Sequence, residues 1–174
     1  MDSRRLEFLA EENEIHINPS TRVPIIDLFH KKIGPLHPNT PSLVPIWLAI
    51  NLRQHNKCKI IQPSWLSVEE LKKFKQNEEE SSVWSSPPSQ QYMEIATILL
   101  DKASDDINDS RQVRLLLKDI WDLRIAKLVT SSMDFITSEA LSARFSNITS
   151  IELSTMRNCF TSGLSEIASL RNAA

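Results

Sequence analysis

All nine prolines of this chain lie within its first 88 residues, seven of them by Pro63, and residues 89–174 contain none. Proline fixes φ and removes an amide donor, so it ends or kinks helices. The first part of the chain is therefore limited to short strands, turns and brief helices, while the second is free to form long helices. Charge shifts at the same place: residues 1–62 carry eight Lys/Arg against six Asp/Glu, and residues 63–174 carry twelve against sixteen. The pattern predicts a mostly α protein in which a small N-terminal β-rich (α+β) module, residues 1–62, precedes a C-terminal helical bundle domain, residues 63–174.

Within the module, residues 3–12 read as a helix, with Leu6 and Leu9 apolar among Arg4, Arg5, Glu11 and Glu12. Ile15-His16-Ile17 alternates like a short strand ending at Asn18-Pro19, and Val23 to Phe29 reads as another. Gly34-Pro35 through Pro41-Ser42 has the composition of an irregular loop. Pro45 suits the first turn of a short helix over 46–54. Ser67 with Glu70 three residues on forms a capping box that opens a helix over 68–80. A polar linker follows, carrying Trp84 and Ser85-Ser86-Pro87-Pro88-Ser89. Beyond it, Tyr92, Ile95, Ala96, Leu99 and Ala103 share a helical face, and a long helix starts near Asp109 or Ser110. Thr149 and Glu152 form a second capping box. The spacing of Leu153, Met156, Phe160, Leu164 and Ile167 predicts a buried stripe on the last helix.

The long helix carries the most constrained pattern. At 100° per residue Val113, Leu116, Leu117, Ile120, Trp121 and Leu128 fall on one side, with Arg124 near the middle of the stripe and Lys127 at its edge. A guanidinium on an apolar stripe must be paired, stacked on an aromatic ring, or placed where another chain supplies acceptors. Leu115, Leu123, Ile125, Ala126 and Val129 spread over the far side. A helix apolar on two sides needs packing on two sides, from this chain or from another.

Several function classes find little footing. With 41% hydrophobic and 24% charged residues the chain is globular. A net charge of −2 makes no global case for nucleic acid. No basic-then-apolar leader and no apolar run near the roughly 20 residues of a membrane span is visible, so no membrane role is expected. Two glycines, Gly34 and Gly163, leave no material for a phosphate-cradling loop. Cys58 and Cys159 are far apart, as reduced thiols are. His55-x-x-Cys58 lacks the second ligand pair of a structural zinc site, a Cys58–His dyad lacks a readable orienting group, and Asp101, Asp105, Asp106 and Asp109 lack the glycine and glutamate of a calcium loop. No cofactor or metal is expected, and no catalytic constellation converges. What remains are interface candidates, Trp47, Trp65, Trp84, Trp121, Arg124 and Lys127. The basic run Arg53, Lys57 and Lys59 is a candidate contact for phosphate or an acidic partner. Core packing is the competing reading for each tryptophan, an internal ion pair for Arg124, and a solvated face for the basic run.

Two blocks resemble a known family. Val44 to Leu52, with the Lys57-Cys58-Lys59-Ile60-Ile61 and Pro63-Ser64-Trp65-Leu66 words after it, is similar to the GINS subunit 2 family, scaffold proteins of the eukaryotic replicative helicase. Asp119-Ile120-Trp121-Asp122-Leu123-Arg124-Ile125-Ala126-Lys127-Leu128 resembles that family's DxWDxRxAKL signature. Phe8-Leu9-Ala10-Glu11, Gly34-Pro35, Tyr92-Met93-Glu94 and Ala103-Ser104-Asp105-Asp106-Ile107 match in the same order. The chain departs at Lys31-Lys32, where the family's turn is more neutral or acidic. The resemblance implies a non-catalytic subunit of a heterotetramer in the nucleus. Its helical domain would help form the tetramer core, with the other three GINS subunits, the Cdc45 protein and the minichromosome-maintenance ring as partners, and a weak DNA contact beside them. The alternatives are a stand-alone nucleic-acid-binding adaptor using the basic run, and a small helical enzyme.

Overall fold

The computed structural model describes residues 3–28, 31–137 and 146–157. Helix α1 (Ser3–Glu11) leads into strand β1 (Glu14–Pro19), the centre of a three-stranded antiparallel sheet of order β4-β1-β5. Strand β4 (Ser42–Pro45) flanks it in the register Ile15↔Val44, and strand β5 (Cys58–Ile60) in the register Ile17↔Ile60. Period-two alternation turns Ile15, Ile17, Val44, Cys58 and Ile60 inward, leaving His16, Leu43 and Lys59 outside. A two-stranded ribbon, β2 (Ile26–Asp27) with β3 (Lys32–Ile33), lies beside it.

The strand expected over Val23–Phe29 is reduced to an isolated Val23↔Leu36 bridge and the two residues of β2. Pro24 has no N–H to give a ladder and interrupts it; Phe29 lies outside the described residues. The supposed loop from Gly34 to Ser42 is more ordered than expected, closing on the Leu36 bridge and running into β4. Gly34 turns the chain at φ 99°, where a Cβ would sit 3.2 Å from the Leu36 amide nitrogen.

Helix α2 (Ile46–Gln54) buries Ile46, Leu48, Ala49, Ile50 and Leu52, because it is sandwiched between the sheet and α1. A 3-10 turn, Ser64–Leu66, precedes α3 (Val68–Glu80), whose first turn is capped by Ser67 Oγ accepting from the Glu70 amide at 3.3 Å. The linker runs without regular structure to α4 (Tyr92–Lys102), a second 3-10 turn covers Ser104–Asp106, and α5 (Ser110–Thr137) is the longest element. Residues 150–157 are helical again (α6). The fold is mostly helical with a small N-terminal sheet. Helix α3 packs along α5, and α1 packs on α4, so the N-terminal segment is built into the bundle. One cluster of buried residues runs without a break from Ala10 through the sheet to Ile120 on α5.

Polar ties cross the same junction. Arg53 on α2 donates through Nε to Asp106 at 2.7 Å, through Nη1 to the Lys102 carbonyl at 2.7 Å, and through Nη2 to Asp105 at 3.1 Å. Asp106 also accepts from the Ile60 amide at 3.1 Å, so one carboxylate holds α2 and β5 against the end of α4. Gln62 accepts from the Asn108 amide, and Asn13 donates to Gln91 Oε1.

Candidate functional site

Arg124 sits where the stripe on α5 predicts, at 1% exposure. Its five N–H groups all find acceptors. Nε and Nη2 grip Glu152 as a fork at 2.6 and 3.1 Å, Nη2 also reaches the Asn147 carbonyl at 2.6 Å, and Nη1 reaches Glu78 and the Ser85 carbonyl at 3.1 Å each. Its guanidinium carbon stands 5.8 Å from the ring centre of Phe74, which meets Tyr92 edge-on at 5.9 Å. Lys127 donates to Glu78 Oε1 at 2.9 Å and also to the Glu78 carbonyl. Two cations thus meet two carboxylates, and the buried cluster is close to neutral.

Burial works against the charge of Arg124, but the hydrogen bonds and charge of Glu152, then Tyr92 and Glu78, more than offset it and hold its pKa above the ordinary value. Burial, followed by the charge of Glu152, pushes the Tyr92 phenol up. The neighbouring Glu94 is 5% exposed, neither carboxylate oxygen has a hydrogen-bond partner among the described residues, and burial raises its pKa.

The cluster also sets the inward face of α6. The Thr149 amide donates to Glu152 at 2.8 Å, half of the expected capping box, while Thr149 Oγ has no partner among the described residues. Because Arg124 draws Glu152 inside, the buried stripe begins elsewhere than expected: Leu153 is 53% exposed while Met156 is buried. Phe160, Leu164 and Ile167 lie outside the described residues.

The tryptophans take different positions. Trp121 is partly buried and lines a groove of about 340 Å³ with Met93, Thr97, Leu100, Leu117 and Ile151, with Arg114 and Lys118 at its rim. Trp47 is 39% exposed on α2. Trp65 packs on the core from the 3-10 turn and borders two clefts, one of them opening between β1 and the start of the bundle. Trp84 is half-buried in the linker, its carbonyl accepting from Asn147 Nδ2 at 3.1 Å. On the far side of α5, Leu115 is 59% exposed, and Ala126 and Val129 are exposed with it.

The basic run divides. Arg53 is turned inward to Asp106, whereas Lys57 and Lys59 are exposed on β5 and the turn before it. Cys58 points its thiol at the Ala49 carbonyl inside, and burial pushes its pKa up to about 11, while His55 is exposed on the other side. The two do not converge. Sequence reasoning missed Glu78 and Glu152 as partners of Arg124. Glu152 was visible only as a capping residue and Glu78 only as part of a run of three glutamates.

Comparison with known proteins matches two consecutive stretches of the chain to two family models, the PSF2 N-terminal domain over residues 2–61 and the GINS complex protein helical bundle domain over residues 65–171. The "DNA replication complex GINS protein PSF2" of Xenopus laevis is 37% identical over 99% of this chain and 94% of its own length. The human protein of the same name is 39% identical over 98% of this chain and 92% of its own. A "probable" PSF2 of Drosophila melanogaster is 32% identical over 100% and 86%.

The chain belongs to the PSF2 family of GINS proteins. For a PSF2-family chain, the Arg124 cluster reads as the internal brace of the helical bundle. The solvent-facing candidates are then the Trp121 groove and the far face of α5.

Proposed function

We propose that this chain is a non-catalytic subunit of the heterotetrameric GINS complex, working in the nucleus as a scaffold that bridges the Cdc45 protein and the minichromosome-maintenance ring in the DNA replication helicase. The carrying observation is α5: braced from inside by Arg124, it leaves Leu115, Ala126 and Val129 exposed on one side and the Trp121 groove open on another. A long helix with two unfinished apolar surfaces is suited to packing against other helices. In this reading residues 63–174 contribute to the tetramer core, and residues 1–62 are the small module fixed against it by Arg53 and Asp106. Among the described residues no group of three or more His, Cys, Asp or Glu could hold a metal ion, and no helix is long and apolar enough to cross a membrane.

Co-expression with the other three GINS subunits tests the proposal. A single 1:1:1:1 species by size exclusion and mass measurement is expected, with the lone chain self-associating. Leu115→Glu or Trp121→Ala should lower the tetramer yield several-fold. A monodisperse lone chain that ignores those subunits would overturn the scaffold reading. The DNA-adaptor alternative rests on Lys57 and Lys59 without Arg53. It predicts binding by the lone chain that weakens about tenfold between 50 and 200 mM salt and is lost on Lys57→Glu/Lys59→Glu.

A further inference from the structure

Two hydroxyl residues precede prolines, Thr40 before Pro41 and Ser86 before Pro87. Their settings differ. Thr40 is held in a tight turn, its amide donating to the His37 carbonyl and its own carbonyl accepting from Ser42 Oγ at 3.1 Å. Ser86 is exposed in the non-helical linker. Pro87 and Pro88 fix their own φ, and each biases the residue before it towards extended backbone. An extended, exposed serine followed by proline is the form in which a protein-kinase cleft takes its substrate.

The linker is anchored just before this point. The Ser85 amide donates to Glu78 at 3.0 Å, and its carbonyl accepts from Arg124 at 3.1 Å. Ser86 and Pro88 then form part of the wall of a cleft of about 260 Å³, which Lys73, Phe74, Asn77, Glu70 and Trp65 also line. Lys73 Nζ pairs with Glu70 at 2.6 Å across the surface of α3, and both side chains are largely solvent-exposed, so this pair is easily exchanged.

We propose that Ser86 is a phosphorylation site for a proline-directed serine/threonine kinase, and that the phosphate docks in this cleft on the Lys73 ammonium. Ser86 Oγ attacks the γ-phosphorus of ATP, the bond to the ADP oxygen breaks, the hydroxyl proton passes to the kinase base, and ADP leaves. The product carries about −1.5 to −2 charges and three acceptor oxygens. Lys73 supplies three donors on a flexible stem, and Asn77 supplies an amide at the same wall. Glu70 gives up Lys73 and turns to solvent. The modification therefore ties the outer side of the linker to α3, on which the inner side is already held through Glu78.

The test uses the full chain, alone and co-expressed with the GINS subunits, incubated with ATP, Mg²⁺ and a cyclin-dependent kinase. One phosphate per chain is expected, mapped to Ser86 by tandem mass spectrometry, absent in Ser86→Ala and entering at least tenfold more slowly in Pro87→Ala. In ³¹P NMR the phosphoserine should titrate below its ordinary midpoint of about 6. Lys73→Ala should restore that midpoint while leaving phosphate incorporation unchanged. Phosphate entering at Thr40 instead, or none entering the folded chain, would overturn the site. A midpoint indifferent to Lys73→Ala would overturn the docking.

Discussion

Arg124 shows how far a single residue can be read from its neighbours in sequence. Its place on an apolar stripe demands a partner, and that much is legible in Asp119–Leu128. The partners are not, because Glu152 and Glu78 lie 28 and 46 residues away and are brought together only by the packing of α3, α5 and α6. Removing the guanidinium leaves two carboxylates buried and uncompensated, so Arg124→Ala should cost about 3–5 kcal/mol in chemical denaturation. Arg124→Lys should recover only part of it, since an ammonium cannot reproduce the fork on Glu152. Neutralising Glu78 and Glu152 together with Arg124→Met should cost less than Arg124→Ala alone. Glu94 gives the opposite sign. Its carboxyl is raised in the folded state, so the native form holds a proton that the unfolded form releases. Stability therefore falls as pH climbs from the unfolded carboxyl's pKa, about 4.3, through the raised folded value. Glu94→Gln should raise the melting temperature at pH 7 and leave it nearly unchanged at pH 4, measured by calorimetry across that range.

Helices were far more legible than strands. The bounds expected for α2 and α3 match the structure, because Pro45 and the Ser67–Glu70 cap mark their starts in local chemistry. Strands β2 to β5 span two to four residues each, too few for alternation to register, and their identity comes from pairing, β4 and β5 with β1 and β2 with β3. The face of α6 departs from its apolar spacing, which favours Leu153, because the buried ion cluster outweighs one leucine and turns Glu152 inward. The junction tie belongs to this scale as well. Asp106→Ala removes the partner of both Arg53 Nε and the Ile60 amide. It should destabilise the chain by about 1–3 kcal/mol, the cost of leaving a partly buried donor unmet. Amide exchange should quicken first in β5.

At the scale of the whole molecule, the proline partition foretold a composition boundary, and the structure spans it with one continuous core. Ala10 on α1 and Ile120 on α5 belong to the same buried cluster. Denaturation followed by tryptophan fluorescence and by far-ultraviolet dichroism should therefore give one coincident transition. Residues 63–174 expressed alone should aggregate, because α4 would lose the helix that covers it. Two resolved transitions would mean that the sheet and the bundle fold independently.

The fork on α5 has a kinetic corollary. The Ser85 and Thr149 amides, 64 positions apart, both donate to carboxylates held by the same guanidinium. Neither can open to solvent without unsettling the anchor of the other. Deuterium should then enter the two at a common rate, as one opening event shared by a linker and a helix start that never touch in sequence.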